Sequence, residues 1–412
     1  MSQTMSRVPA HAWFLIISAC VLVMLSFGYR SGFGLYVKPL AEANSWGRDT
    51  IGFALAIQNL VWGIVAVFAG GLADRFGNIK VICVAALLYA LGLGLTPHVT
   101  EPWMLNGAAG MLVGAGVAGT SFGIILPALA RAVSADRQQW VLGLGTAAGS
   151  AGQFLMVPVA QELIEWVGWV TTLHILALST LSLCLLAMPL APYAGRKAPD
   201  AKPSAENEQT IAEALQEAFS HRSYVLLVLG FYVCGFHVAF ITAHMPAYLS
   251  DLGFSGQVGA WAISIIGFCN IFGAYYSGIL STRFERRQVL LWIYLLRGVI
   301  ITAFVLTPIS LASVIAFCAA MGFLWLATVP PTSGLVSVMF GTRYMSLLFG
   351  IVFLCHQLGS FTGVWLGGWT YEQTGNYNLV WWLGVMFSLV AAVLHWPIKE
   401  EPIERIAAVK TA

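Results

Sequence analysis

Two stretches decide how this chain folds: Gly70-Gly71-Leu72-Ala73-Asp74-Arg75-Phe76-Gly77 and Gly278-Ile279-Leu280-Ser281-Thr282-Arg283-Phe284-Glu285. Each closes a long apolar run with small residues and follows it with basic ones. The second begins 208 positions after the first (278 − 70). Small residues let helix backbones approach closely in lipid, so the same helix end recurs half a chain apart. Outward from this pair, the chain reads as two copies of one unit.

What surrounds the pair is apolar. Hydrophobic residues make up 58% of the 412 and charged residues 9%, with 15 Trp and 24 Phe. A soluble domain carries about 25% charge, so lipid must solvate most of this surface. A net charge of +2 excludes electrostatic capture of nucleic acid, which needs a basic patch or stripe. The seven cysteines lie far apart in apolar runs, which is the pattern of small buried hydrophobes rather than of metal ligands or a disulfide framework.

A helix needs about 20 apolar residues to cross the hydrocarbon core. Twelve runs qualify: 13–36, 50–72, 80–97, 103–129, 139–161, 169–190, 223–248, 257–280, 288–307, 311–335, 346–368 and 379–397. The first lacks a small-residue cleavage site and outlasts a signal peptide, so it is expected to be a permanent span. One connection is long. It opens with Arg196, Lys197, Pro199, Asp200, Lys202 and Pro203, and then repeats Ile211, Leu215 and Phe219 every fourth residue. It is expected to be a cytoplasmic linker ending in an amphipathic helix on the membrane surface. The chain then divides into residues 1–192, a six-helix bundle, the linker 193–222, and residues 223–412, a second six-helix bundle.

Lys and Arg set the orientation, because cytoplasmic loops retain positive charge. With both termini inside, 16 of the 20 basic residues fall on the inner side, Lys38 and Arg48 fall on the outer side, and Arg30 and Arg297 lie within spans. The expected topology is N-in and C-in, in an inner (plasma) membrane.

The loop after the second span, with Gly70, Asp74, Arg75 and Gly77, resembles the signature loop of the major facilitator superfamily, and the resemblance extends over the whole chain. It implies an all-α membrane protein with twelve transmembrane helices in two six-helix bundles, related by a pseudo-two-fold axis along the membrane normal, with a substrate site between them. It also implies a conformational latch at the inner side, formed by Gly70, Asp74, Arg75, Gly77 and Arg283. Glu285 stands where the first copy has Gly77, so the second latch is expected to be weaker or differently paired. Within the superfamily, Ser31-Gly32-Phe33-Gly34-Leu35-Tyr36 with Lys38-Pro39-Leu40, and His356-Gln357-Leu358-Gly359-Ser360 with Trp365-Leu366-Gly367-Gly368, look like the bacterial monocarboxylate and oxalate/formate branch. Members of that branch often carry an arginine in span eight, preceded by an acid. Here those places hold Ala274 and Asn270.

Charge inside the hydrocarbon costs roughly 2.5–3.5 kcal/mol on insertion scales, so each instance asks for a reason. None of the 18 acids falls at a helix centre. A sodium site, coupling through a buried carboxylate, and export of organic cations are therefore disfavoured. Arg30 lies about 17 residues into span one, roughly 25 Å along the helix from the inner face. It either snorkels to the outer headgroups or anchors a substrate carboxylate. In the family fold the first span lines the cavity, which favours the anchor. Arg297, mid-way along span nine, is a possible additional charge, with a structural contact equally open.

Aligning the halves at an offset of 207 sets Arg30 on His237, and the two are expected to face each other across the pseudo-two-fold axis. Asn59, Gln153, Asn270, His356 and Gln357 are expected to add neutral donors around one anion. Tyr29, Trp325 and Tyr232 are expected to supply its apolar walls. With no mid-membrane acid, proton coupling would run through His237, His356 or the substrate itself, since an unperturbed imidazole titrates near 6.5.

No phosphate-cradling GxxxxGK[ST] motif and no HExxH motif occurs, against a primary pump or a zinc-dependent membrane enzyme. The expected function is secondary transport of a small organic anion, most plausibly a carboxylate, by a monomer without cofactor or metal, with protons as a possible second ligand. The alternative is a multidrug-type or metabolite exporter of the same superfamily.

Overall fold

A computed structural model describes residues 10–134, 138–193, 209–341 and 344–403. Among them are twelve helical spans long and apolar enough to cross a membrane. Spans 1–6 are Ala12–Asn44, Arg48–Ala73, Asn78–His98, Pro102–Arg131, Trp140–Val167 and Trp169–Ala191. Spans 7–12 are Arg222–Asp251, Gly256–Arg283, Arg286–Leu306, Leu311–Phe340, Leu347–Thr374 and Asn378–His395. The expected runs were right in number and place, but short at several ends. Span 1 tightens into a 3₁₀ turn over Gly32–Tyr36 and then continues as helix to Asn44. Lys38 and Arg48, expected between the first two spans, are therefore helical.

The packing obeys the repeat. Span 1 lies along span 5 and span 7 along span 11, while span 2 meets span 11 and span 5 meets span 8 across the seam between the bundles. Each of these contacts has its counterpart in the other half. A side chain at Gly152 would strike the Met24 carbonyl, and one at Gly359 would strike the Tyr232 carbonyl. These pairs are offset by 207 in spans 5 and 11 (359 − 152) and by 208 in spans 1 and 7 (232 − 24). With no hydrophobic force between helices in lipid, such close backbone approach is what holds each bundle together.

The two ends of the seam differ. Near the face that carries Arg48, a side chain at Gly34 would run into the Thr242 carbonyl. A side chain at Gly52 would meet the Gly368 backbone and one at Gly368 the Arg48 carbonyl, and a Cβ on Gly63 would lie 2.7 Å from that of Gln357. At the opposite face, which carries Arg75 and Arg283, Gly71, Gly278 and Gly350 have nothing within 4 Å. The bundles are closed at the Arg48 face and parted at the Arg75 face.

Of the expected latch, the side chains of Arg75 and Arg283 make no hydrogen bond or ion pair with the opposite bundle among the described residues. Gly77 ends the second helix with φ +93°, a value that favours glycine. Arg75 is exposed, its guanidinium 5.3 Å from the Phe76 ring centre, and Arg283 is exposed too. Among the described residues no ion pair joins either arginine to the opposite bundle, and the side chain of Asp74 lies outside those residues. The first part of the linker, 194–208, is likewise outside them. The expected surface helix is Ile211–Ser220, begun by a Thr210–Glu213 capping box. Ala214 and Ala218 are buried, while Ile211 and Phe219 are exposed, as a lipid-facing stripe would be.

Arg297 has a structural explanation. Span 10 loses its helix between Leu324 and Val329, which frees carbonyls inside the second bundle. The fully buried guanidinium donates to Leu324 O at 2.7 Å and to Trp325 O, with the Cys234 thiol at 3.6 Å. Trp325 is buried in that bundle and is not a wall of the seam.

Two outcomes test this packing. Gly359→Val should lower the melting temperature of the purified protein, at an overpacking cost of about 1–3 kcal/mol, whereas Gly350→Val on the same helix should not; equal melting of the two would refute the close packing of span 11 on span 7. Arg297→Met should also destabilise, because each buried carbonyl left unpaired costs about 1–3 kcal/mol. An unchanged melting temperature would mean that the freed carbonyls of span 10 do not need the guanidinium.

Candidate functional site

Arg30 stands at the seam, on span 1 near the closed end. Its Nη2 donates to Asn59 Oδ1 of span 2 at 2.6 Å, and its guanidinium carbon sits 4.6 Å from the Trp62 ring centre. Asn59 is held in turn by its own amide N–H, which donates to Leu55 O. No carboxylate approaches Arg30 among the described residues. It lines a narrow void of about 20 Å³ with Gln58, Asn59, Ala239, Thr242 and Val364, which are drawn from both bundles. That is room for about one water molecule. Arg30 is anchored by span 2 and does not snorkel away from the seam.

Trp62 and Gln357 complete the layer. Gln357 lies directly against Gly63 across the seam, and the Trp62 ring packs edge-on against Phe353, 5.3 Å between centres. His356 stacks on Phe353 and donates its Nδ1–H to Gln357 Oε1 at 3.3 Å, since that oxygen can only accept. This turns the Gln357 amide so that its NH₂ group faces away from His356. The Gln357 Nε2 and the Trp62 Nε1 are both buried with no partner among the described residues. A buried donor left unpaired costs about 1–3 kcal/mol, so such a pair beside an unneutralised guanidinium calls for an acceptor. The Trp62 ring touches Arg30 directly, and Gln357 faces the next residue of span 2, Gly63.

The other expected site residues lie elsewhere. Gln153 donates to Ile263 O at 3.0 Å, joining span 5 to span 8 across the seam. Asn270 donates to the Ser150 hydroxyl at 2.8 Å and accepts the Leu326 backbone N–H at 2.9 Å, so both its groups are taken up in holding helices. Tyr29 accepts the Ser179 hydroxyl of span 6 at 2.9 Å, inside the first bundle. His237 does not face Arg30. Its Nε2 meets Gly384 O of span 12 at 2.9 Å, inside the second bundle. The reason is a one-residue register error. At the 208 offset that the packing shows for spans 1 and 7, His237 corresponds to Tyr29, and each points at the peripheral helix of its own bundle. One residue turns a helix side chain by about 100°, enough to move it from the seam to the periphery.

The sequence also left residues unremarked. Gln58 reaches across to Ala109 O at 2.8 Å. That carbonyl lies in a wide-turn stretch of span 4, Asn106–Leu112, where i→i+5 bonding disturbs the regular ladder. Arg48 is the largest omission. It is buried, forms a two-pronged ion pair with Asp251 at 2.5 and 2.6 Å, donates to the Tyr377 hydroxyl at 3.1 Å and sits 3.9 Å over the Tyr371 ring. Its backbone N–H donates to Glu372 at 3.2 Å. One side chain thus ties span 2 to the far ends of spans 7 and 11 and to the start of span 12.

Comparisons with known proteins agree with this architecture. The chain is 24% identical over 401 residues to the uncharacterized MFS-type transporter YcxA of Bacillus subtilis, covering 94% of this chain and 95% of that one. It is 25% identical over 371 residues to monocarboxylate transporter 13 of Bos taurus, covering 89% and 84%. Its fold superposes on the crystal structure of a D-xylose-proton symporter with a TM-score of 0.74 at 17% identity, over 96% of this chain and all of that one. The family model described as Major Facilitator Superfamily matches residues 19–364 and 260–411. The chain therefore belongs to the Major Facilitator Superfamily of membrane transporters.

Proposed function

We propose that this transporter carries a small organic anion, most simply a carboxylate, bound at Arg30 between the bundles. The observation that carries the reading is the donor-only layer: a guanidinium without a carboxylate, flanked by the unpartnered N–H groups of Trp62 and Gln357. Charge-assisted hydrogen bonds to a carboxylate would satisfy all three. Asn59 orients the guanidinium, and His356 orients the Gln357 amide. The name of the bovine monocarboxylate relative is in keeping with this ligand class.

The distribution of basic residues supports an inner-membrane protein with the Arg48 face outside and both termini in the cytoplasm. On that reading the conformation described here faces inward. Substrate would leave past the parted Arg75 face, and the Asp74–Arg75 loop would close against Arg283 only when the seam opens at the other end. Proton coupling would pass through His356 or the substrate, because His237 is committed to span 12. Transport proceeds by exchange of the two seam contacts, with the carrier acting as a monomer.

The decisive experiment is a binding panel of carboxylates on purified protein. A bound carboxylate should raise the melting temperature, by about 2.7 kcal/mol of stabilisation at 100 times its dissociation constant. Arg30→Ala should weaken it by about 10- to 100-fold, and Arg30→Lys by less, since hydrogen bonds to charged groups are worth about 1.5–3 kcal/mol. Wild-type affinity in the alanine variant would overturn the anion site and favour an exporter with an apolar pocket.

A further inference from the structure

A second cavity lies outside the site described above. At the Arg48 face, spans 2, 4 and 11 form an open groove of about 230 Å³ lined by residues that include Asp49, Thr50, Phe53, Asn106, Trp365 and Trp369. Its chemistry is the reverse of the Arg30 layer. Asp49 spends one carboxylate oxygen on the Thr50 backbone N–H at 2.7 Å. Asn106 Oδ1 is buried and has no partner among the described residues. The Glu372 carboxylate converges on the same corner, since a side chain at Gly47 would meet both it and that of Asp49. No basic residue lines the cavity, and the neighbouring Arg48 guanidinium is turned away toward Asp251.

The apolar wall is equally specific. Trp365 and Trp369, one helical turn apart, are 39% and 42% exposed. Indole faces attract cations more strongly than other aromatic rings do. An acid, an unpaired amide oxygen and two indoles around one cavity are the parts of a receptor for an organic cation.

We propose that this groove binds an organic ammonium ion bearing an apolar group, with the nitrogen at Asp49 and Asn106 and the apolar part on Trp365 and Trp369. The cavity joins spans 2 and 4 of one bundle to span 11 of the other, so its occupant prefers the conformation closed at the Arg48 face. It is a regulatory ligand rather than cargo, because a ligand stabilises the state that it binds better. A soluble amine and the headgroup of an ethanolamine lipid share the chemistry.

The test uses full-length protein in nanodiscs of phosphatidylglycerol, with 2-phenylethylammonium as probe and neutral 2-phenylethanol as control. The ammonium should bind saturably and raise the melting temperature, and the alcohol should not. Asp49→Asn and Trp369→Leu should each weaken binding by about tenfold, within the range of a desolvated cation–π contact. In a second arm, phosphatidylethanolamine is added to the nanodiscs. If it raises the melting temperature of wild type but not of Asp49→Asn, and competes with the probe, the lipid headgroup is the occupant. If only the soluble probe binds, the ligand is a free amine. Binding of neither, equal binding of the alcohol, or unchanged affinity in both variants would overturn the proposal.

Discussion

The ion pair between Arg48 and Asp251 is the contact on which this conformation depends. It is two-pronged, its arginine side chain is 10% exposed, and it joins the start of span 2 to the end of span 7. Tyr371, Glu372 and Tyr377 gather the ends of spans 11 and 12 around the same guanidinium. Exposed ion pairs contribute little, and removing one partner of a buried pair costs about 3–5 kcal/mol; with the Asp251 side chain 25% exposed, this pair lies between the two. In lipid, where helix packing alone discriminates weakly between conformations, a contact of that size decides which end of the seam is shut.

Three arginines near or within the hydrocarbon are treated in three ways. Arg48 has a carboxylate partner and acts as a fastener. Arg297 has carbonyls freed by the break in span 10 and acts as a brace within one bundle. Arg30 has an amide, an aromatic face and no counter-charge, which leaves its charge to be matched by something that is not part of the chain. Arg297 also lacks a carboxylate, and its Nε and Nη1 are buried without a partner among the described residues, so what sets Arg30 apart is its place at a void lined by both bundles, where Arg297 is enclosed within one.

Much of this was legible in the sequence, because lipid imposes strong constraints. Twelve apolar runs, the Gly70 and Gly278 helix ends and the long central connection fixed the architecture before any coordinates. Arg30, Asn59 and Gln357 were also legible as polar residues in apolar helices. What failed was direction around the helix axis. Hydropathy reports depth but not azimuth in a helix that is apolar all round, and a repeat offset ambiguous by one residue moved His237 from the periphery to the seam. Arg48 escaped notice for a different reason. It sat where an outer loop was expected, and its partner Asp251 lies 203 positions away, with nothing local to announce the pair. Trp62 was hidden among 15 tryptophans, since its importance is an unpaired N–H rather than its residue type.

The central claim is that the Arg48–Asp251 fastener holds the seam shut at one face and parted at the other. The most direct measurement is electron–electron distance between spin labels across each face, on a background without native cysteines. One pair joins Glu101 to Asn376 at the Arg48 face and another joins Phe76 to Phe284 at the Arg75 face. On replacing Arg48 by Gln, the Glu101–Asn376 distribution should lengthen and the Phe76–Phe284 distribution should shorten together, as the seam exchanges ends. If both distributions stay as they are in the wild type, the ion pair does not set the conformation and this account of the carrier is contradicted.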